Sequence, residues 1–216
     1  MNEADILDVI KRFVTTATLA KLAGFDGVQI HAAHGYLLAQ FLSPLTNQRS
    51  DKWGGSLINR ARLLIEIVKA IKYACGNDFD ITVKLNSADF QRGGFDIDDA
   101  RQVIDMLSVI DIDLIELSGG SFEAPAMQGR TADERTLARE AYFLTFTQQL
   151  AKTSPVPLML TGGIYRLATV NNVLHAGFAL CGIASALAYT PDLVNRWQLN
   201  PNFCVKINPP IGTINH

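Results

Sequence analysis

Five short runs rich in aliphatic and β-branched residues, at 28–31, 81–86, 114–118, 158–161 and 178–183, recur along the chain. Between them lie stretches whose apolar residues return at helical spacing, and no Pro/Gly/Ser-rich linker interrupts the series. Strands alternating with helices over short connections pair in parallel through right-handed crossovers, so the pattern predicts an α/β fold. The helical stretches cover about 4–23, 57–74, 97–109, 133–152 and 167–176, and Pro191 opens a last one. Asp96 is placed to cap the third and Gly24 to end the first.

Two parallel architectures compete, and parity within the strands separates them. A doubly wound sheet meets helices on both faces and is apolar on both. A barrel strand instead sends alternate residues into a layered interior whose upper end tolerates polar groups. Here Val28 and Ile30 oppose Gln29 and His31, and Ile81, Val83 and Leu85 oppose Thr82, Lys84 and Asn86. Ile115 and Leu117 likewise oppose Glu116 and Ser118. One apolar face and one titratable face favour a (β/α) barrel with chemistry in its interior. An antiparallel sheet with one wet face would need hairpins where this chain has helices.

Composition excludes several classes of function. The 216 residues are 48% hydrophobic with a net charge of −2, enough for one substantial core. The charges, 19% of residues, are interspersed, so no nucleic-acid footprint is visible. No apolar run approaches the roughly 20 residues that cross a bilayer, and the acidic N-terminus is unlike a secretory signal. Cys75, Cys181 and Cys204 are odd in number and widely spaced, which fits a reducing cytosol and a cytoplasmic location.

The densest chemistry follows the first strand, at His31, His34 and Tyr36. If the chain turns after His31, the two imidazoles share one side and can hold an oxygen that becomes negative in a transition state, with the Tyr36 hydroxyl as a nearby proton donor. The same pair could supply two ligands of a metal site, although no third ligand stands at a recognisable spacing, or be core histidines satisfied by hydrogen bonds. Lys84 could pair with Glu116 on the neighbouring strand, and Arg49 with Asp51 in a braced loop. Cys181 reads as a buried small hydrophobe.

The run FDGVQIHAAHGYLLAQFLSP at 25–44, then NQRSDKWGGS at 47–56 with Asn59-Arg60, resembles the Old Yellow Enzyme family of FMN-dependent oxidoreductases. The likeness continues through VKLNSADF at 83–90, Thr161-Gly162-Gly163, and Ala186-Leu187-Ala188 with Pro191-Asp192-Leu193. It implies a truncated (β/α)8 TIM-barrel type in which the five units are strands 4–8. Residues 1–216 would then be one partial FMN-dependent domain lacking the first three β/α units, the C-terminal portion of a family member.

By the same resemblance, His31 and His34 bind the carbonyl oxygen of an α,β-unsaturated substrate, and Tyr36 protonates its α-carbon. Lys84 stands beside the flavin N1–C2 edge. Gly162, Gly163, Ala184 and Ser185 approach the FMN phosphate. The implied cofactors are non-covalent FMN and NAD(P)H as reductant, with hydride passing to an activated alkene or another acceptor; no metal is implied. At 184–185 the family places an arginine after a small residue, whereas Ser185 brings no charge; that weakens phosphate binding by about 1.5–3 kcal/mol unless another group, such as Arg166, substitutes. The open edges of a truncated barrel leave a homo-oligomer or a complementary barrel fragment as partners. The alternatives are an inactive remnant, a fragment needing a complementary chain, and a metal-dependent hydrolase barrel using His31 and His34.

Overall fold

The computed structural model describes residues 1–121, 123, 141 and 143–205. In chain order its elements are α1 (Glu3–Leu22), β1 (Gly27–Ala32), α2 (Leu37–Leu42), α3 (Leu57–Cys75), β2 (Asp80–Asn86), α4 (Ile97–Ser108) and β3 (Leu114–Ser118). There follow α5 (Leu144–Thr153), β4 (Leu158–Thr161), α6 (Leu167–His175), β5 (Leu180–Gly182), α7 (Ser185–Tyr189) and α8 (Leu193–Leu199).

The long helices begin at well-made caps. Asn2 accepts from the Asp5 N–H at 3.0 Å while its own N–H donates to the Asp5 carboxylate at 2.7 Å, a reciprocal box that starts α1. Ser56 caps α3 and Asp96 caps α4, each satisfying N–H groups that have no partner inside the helix. The α3 stripe of Leu63, Leu64, Ile67, Val68 and Ile71 is at most 1% exposed, each side chain contributing about 1.5–3 kcal/mol of burial.

All five strands are parallel and lie in the order β1-β2-β3-β4-β5. A doubly wound sheet reverses its strand order at a switch point; this one never does. With every crossover of the same hand, the helices collect on one face and the sheet forms an arc of a (β/α)8-type barrel. The helix-facing residues Ile81, Val83, Leu85, Ile115, Leu117, Leu158 and Leu160 are buried to within 2%. On the opposite face the pairing aligns His31 with Lys84, Lys84 with Glu116, and Glu116 with Met159.

The strand and helix series expected from the sequence is present, with differences at the edges. The short helices α2 and α7 lack the length to show a period. β5 spans three residues rather than six, and at its last residue, Gly182, the backbone lies close against β4: a Cβ there would come within 3.0 Å of Met159 Cε and 3.1 Å of Thr161 Cβ. The last helix begins at Leu193, after Asp192, rather than at Pro191. Of the stretch expected to be helical at 133–152, the part from Leu144 onward is α5, and 133–140 lie outside the described residues. Among the described residues no helix is long and apolar enough to cross a membrane.

Connections entering the strands are short, at 23–26, 76–79, 109–113, 154–157 and 176–179, whereas the one leaving β2, 87–96, is longer. The C-terminal edge of the sheet therefore carries the material from which a parallel α/β protein builds a site.

Candidate functional site

β1 ends at Ala32, and the chain reverses through two left-handed residues, His34 (φ 62) and Gly35 (φ 78). The turn after His31 is thus left-handed, and it brings the rings together all the same. His31 and His34 meet edge to face with centroids 5.1 Å apart, and Tyr36, the residue preceding α2, lies 5.1 Å from His31. His34 is held from two further strands: its N–H donates to Asn86 Oδ1 at 3.1 Å, and its Nε2 lies 2.7 Å from Ser118 Oγ at the end of β3. Tyr36 stays half exposed.

Burial and the Lys84 cation hold both imidazoles below their ordinary range. His34 is pushed down to about 4, first by burial, then by Lys84, then by His31. His31 is lowered by burial and Lys84, with Glu116 opposing. Both rings are therefore neutral near pH 7, and each offers one N–H donor and one lone pair. On β2, Lys84 donates to Glu116 Oε1 at 2.7 Å, and the Glu116 side chain is only 6% exposed. The ion pair suggested by strand parity is present, and it fixes the lysine head on the polar face.

One cleft at the C-terminal edge gathers most of the residues singled out by sequence. Its lining includes His34, Lys84, Gly162, Gly163, Ala184 and Ser185, drawn from the ends of β1, β2, β4 and β5. His31 and Tyr36 are not in that lining; the His31 ring packs against His34, which is, and the Tyr36 ring packs against His31. Gly162 (φ 117) and Gly163 (φ 62) adopt backbone conformations that favour glycine, which leaves the chain after β4 without side chains toward the cleft. Arg166 precedes α6, bridges Cys204 through its backbone, and is absent from the lining.

Ser118, Thr161 and Phe143 also line the cleft, and sequence reasoning had not assigned them. Ser118 shares the polar parity of Glu116 and was within reach of that argument; its contact with His34, far away in sequence, was not. The other expectations find bland places. Arg49 pairs with Asp51, and Cys181, expected to be buried, is only partly so, although burial still pushes its thiol up to about 11. Among the described residues no group of three or more His, Cys, Asp or Glu side chains converges on a metal position.

The NADH:flavin oxidoreductase / NADH oxidase family profile matches residues 1–202. The chain belongs to that family. The match corrects the expectation that the resemblance concerns a C-terminal portion only, because it runs from the first residue through nearly the whole chain. An NADH-dependent flavin oxidoreductase, iliE, of Hypocrea jecorina is 38% identical over 203 residues, covering 91% of this chain and 50% of the relative. A 4,4'-dithiodibutanoate disulfide reductase of Rhodococcus erythropolis is 30% identical over 98% of the chain and 60% of its own length. Among solved structures, a 2-naphthoyl-CoA reductase complex superposes with a TM-score of 0.84 at 29% identity, over 93% of this chain and 30% of that one. An old yellow enzyme homologue from Zymomonas mobilis gives 0.75 at 26% identity, over 96% of this chain and 56% of the other. The chain spans about half the length of the curated relatives it matches.

Proposed function

We propose that this chain forms the FMN- and substrate-binding part of a flavin-dependent oxidoreductase that reduces α,β-unsaturated carbonyl compounds at the expense of NAD(P)H. The observation that carries the reading is the cleft whose lining includes His34, Lys84, Gly162, Gly163, Ala184 and Ser185. Its donor set fits FMN: a lysine cation at one strand end, and glycine backbone beside a serine hydroxyl at two others. Lys84, steadied by Glu116, would hold the N1–C2 edge of the ring. The N–H groups around Gly162–Gly163 and Ala184–Ser185, with the Ser185 hydroxyl, would hold the phosphate. Bound there, FMN supplies the hydride carrier between nicotinamide and the alkene. Relatives named as NADH-dependent support a nicotinamide reductant.

The remaining work falls to the histidines and the tyrosine. Neutral His31 and His34 direct imidazole N–H groups at the substrate oxygen, polarising the carbonyl as negative charge develops. Ser118, bonded to His34 Nε2, orients that ring. The Tyr36 hydroxyl, half exposed and beside His31, delivers a proton to the α-carbon. The reading includes three complementary β/α units, pairing along the β1 and β5 edges of the sheet, that close the ring.

The test is reconstitution. Protein incubated with FMN and desalted should keep the oxidised-flavin absorbance bands, and phenolic ligands should add a long-wavelength charge-transfer band. Replacing His31 and His34 with Ala should abolish that band. Loss of flavin on desalting, or an unchanged band in the double variant, would refute the assignment.

A further inference from the structure

His34 occupies a backbone position to which a residue with a Cβ is poorly suited. The turn from Ala33 to Tyr36 is closed by the Tyr36 N–H, which donates to Ala33 O at 3.2 Å, and both central residues, His34 (φ 62) and Gly35 (φ 78), are left-handed. Turns of that kind favour Gly, Asn and Asp at their centre, so a contact from outside the turn must hold His34 there. Its N–H donates to Oδ1 of Asn86, the last residue of β2, at 3.1 Å. The ring is held separately, with Nε2 2.7 Å from Ser118 Oγ. Asn86 and Ser118 are register partners on β2 and β3, so one cross-strand pair grips His34 at its backbone and at its ring.

The Asn86 amide has no freedom to turn over. Only 2% exposed, it donates from Nδ2 to Asp89 Oδ1 at 3.0 Å and to Gly120 O at 2.8 Å. Both partners are acceptors, which fixes the amide oxygen toward the His34 N–H. Asp89, itself buried, is pinned in turn: its Oδ2 accepts from the Phe95 N–H at 3.1 Å, and its own N–H donates to Phe95 O at 2.8 Å. Phe90, a second left-handed residue (φ 57), lies within the span that these bonds enclose. The Gly120 N–H donates to Ala88 O at 3.0 Å. Three segments at the C-terminal edge, 33–36, 87–96 and 119–120, therefore meet on one buried side chain.

We infer that Asn86 is a positioning residue for the histidine pair: its locked amide holds the His34 backbone in the left-handed turn that sets the His34 ring against His31. The inference rests on the proposed function for the use of those rings on a substrate oxygen, and adds the residue that places them. Asn86 does not line the cleft, so it acts through His34. The position demands one acceptor and two donors in a buried setting. Alanine supplies none of them. Aspartate keeps the acceptor, loses both donors and sets a second carboxylate against Asp89. Either change leaves buried polar groups on the facing segments without a partner.

The test reads the rings and the ligand separately. In the FMN-free wild-type chain, NMR should show a nuclear Overhauser contact between the ring protons of His31 and His34, whose centroids are 5.1 Å apart. The FMN-loaded chain should bind phenol, read by the charge-transfer band. Asn86→Ala and Asn86→Asp should each lose the ring contact and weaken phenol binding about five- to tenfold, while FMN affinity stays within about twofold. Combining Asn86→Asp with Asp89→Asn restores a donor at 89 for the acceptor at 86, which still faces the His34 N–H, and should recover the ring contact and most of the phenol affinity. Rings still in contact in Asn86→Ala, or FMN and phenol weakened equally, would overturn the inference. If a single variant fails to fold, a folded double variant with its rings apart would overturn it as well. Wild-type protein with the ring contact but no phenol binding would overturn the proposed function, while the ring contact in the variants still decides the role of Asn86.

Discussion

The low proton affinity of His34 makes a stability prediction that can be worked through. Its pKa falls from an ordinary 6.5 to about 4 in the folded protein. The unfolded chain therefore takes up a proton on this residue between those values while the folded one does not. Protonation of the unfolded state draws the equilibrium toward unfolding, so the His34 contribution is intact above about pH 6.5, declines as pH falls toward 4, and changes no further below. A shift of that size corresponds to about 3 kcal/mol in full; for a half-buried ring, solvent screening brings it to about 1–2 kcal/mol. His34→Asn is the informative comparison, because asparagine tolerates the left-handed backbone and does not titrate. Urea unfolding at a series of pH values should show wild-type stability falling by about 1–2 kcal/mol more than that of the variant between pH 6.5 and 4. Titrating groups away from His34 are common to both proteins and cancel in the difference. Parallel profiles, or a His34 imidazole signal that titrates near 6.5 by NMR, would refute the argument that burial and Lys84 hold the ring neutral.

The Lys84–Glu116 pair should behave as a coupled unit: Glu116→Gln strands a lysine cation only 22% exposed and should cost about 2–4 kcal/mol in urea unfolding, most of it recovered on adding Lys84→Met. Strictly additive losses would show that the pair is not a unit. Gly119→Ala should lower stability by about 1–3 kcal/mol, read as a drop in Tm, because the new methyl would intrude on the rings of Phe90 and Phe143. An unchanged Tm would mean that Gly119 is not the seat of those rings.

Strand parity carried the reading of the fold a long way, and its reach can be traced residue by residue. β1, β2 and β3 are five to seven residues long, so their alternation is visible, and the polar set Gln29, His31, Lys84 and Glu116 falls on the face opposite the helices. β4 and β5 are too short to show it, and strand order through β5 emerges only from the pairing. In the site, the glycines and the histidine pair announce themselves by residue type. Ser118 does not, because a serine at a strand end becomes meaningful only when the register sets it beside His34. The least accessible feature is the left-handed backbone at His34 and Phe90: tertiary hydrogen bonds to Asn86 and Asp89 impose it against local preference, and no local pattern encodes it.

The unbroken strand order has a consequence for how the protein comes to be made. Each strand pairs with the one synthesised just before it, so on the ribosome every new β/α unit finds its neighbour already outside and can dock without waiting for distant sequence. The cleft obeys the opposite schedule. Its wall draws on β1 at one end and on Ala184 and Ser185, beyond β5, at the other. The scaffold can therefore mature steadily during translation, while the lining of the cleft stays incomplete until its last contributor emerges.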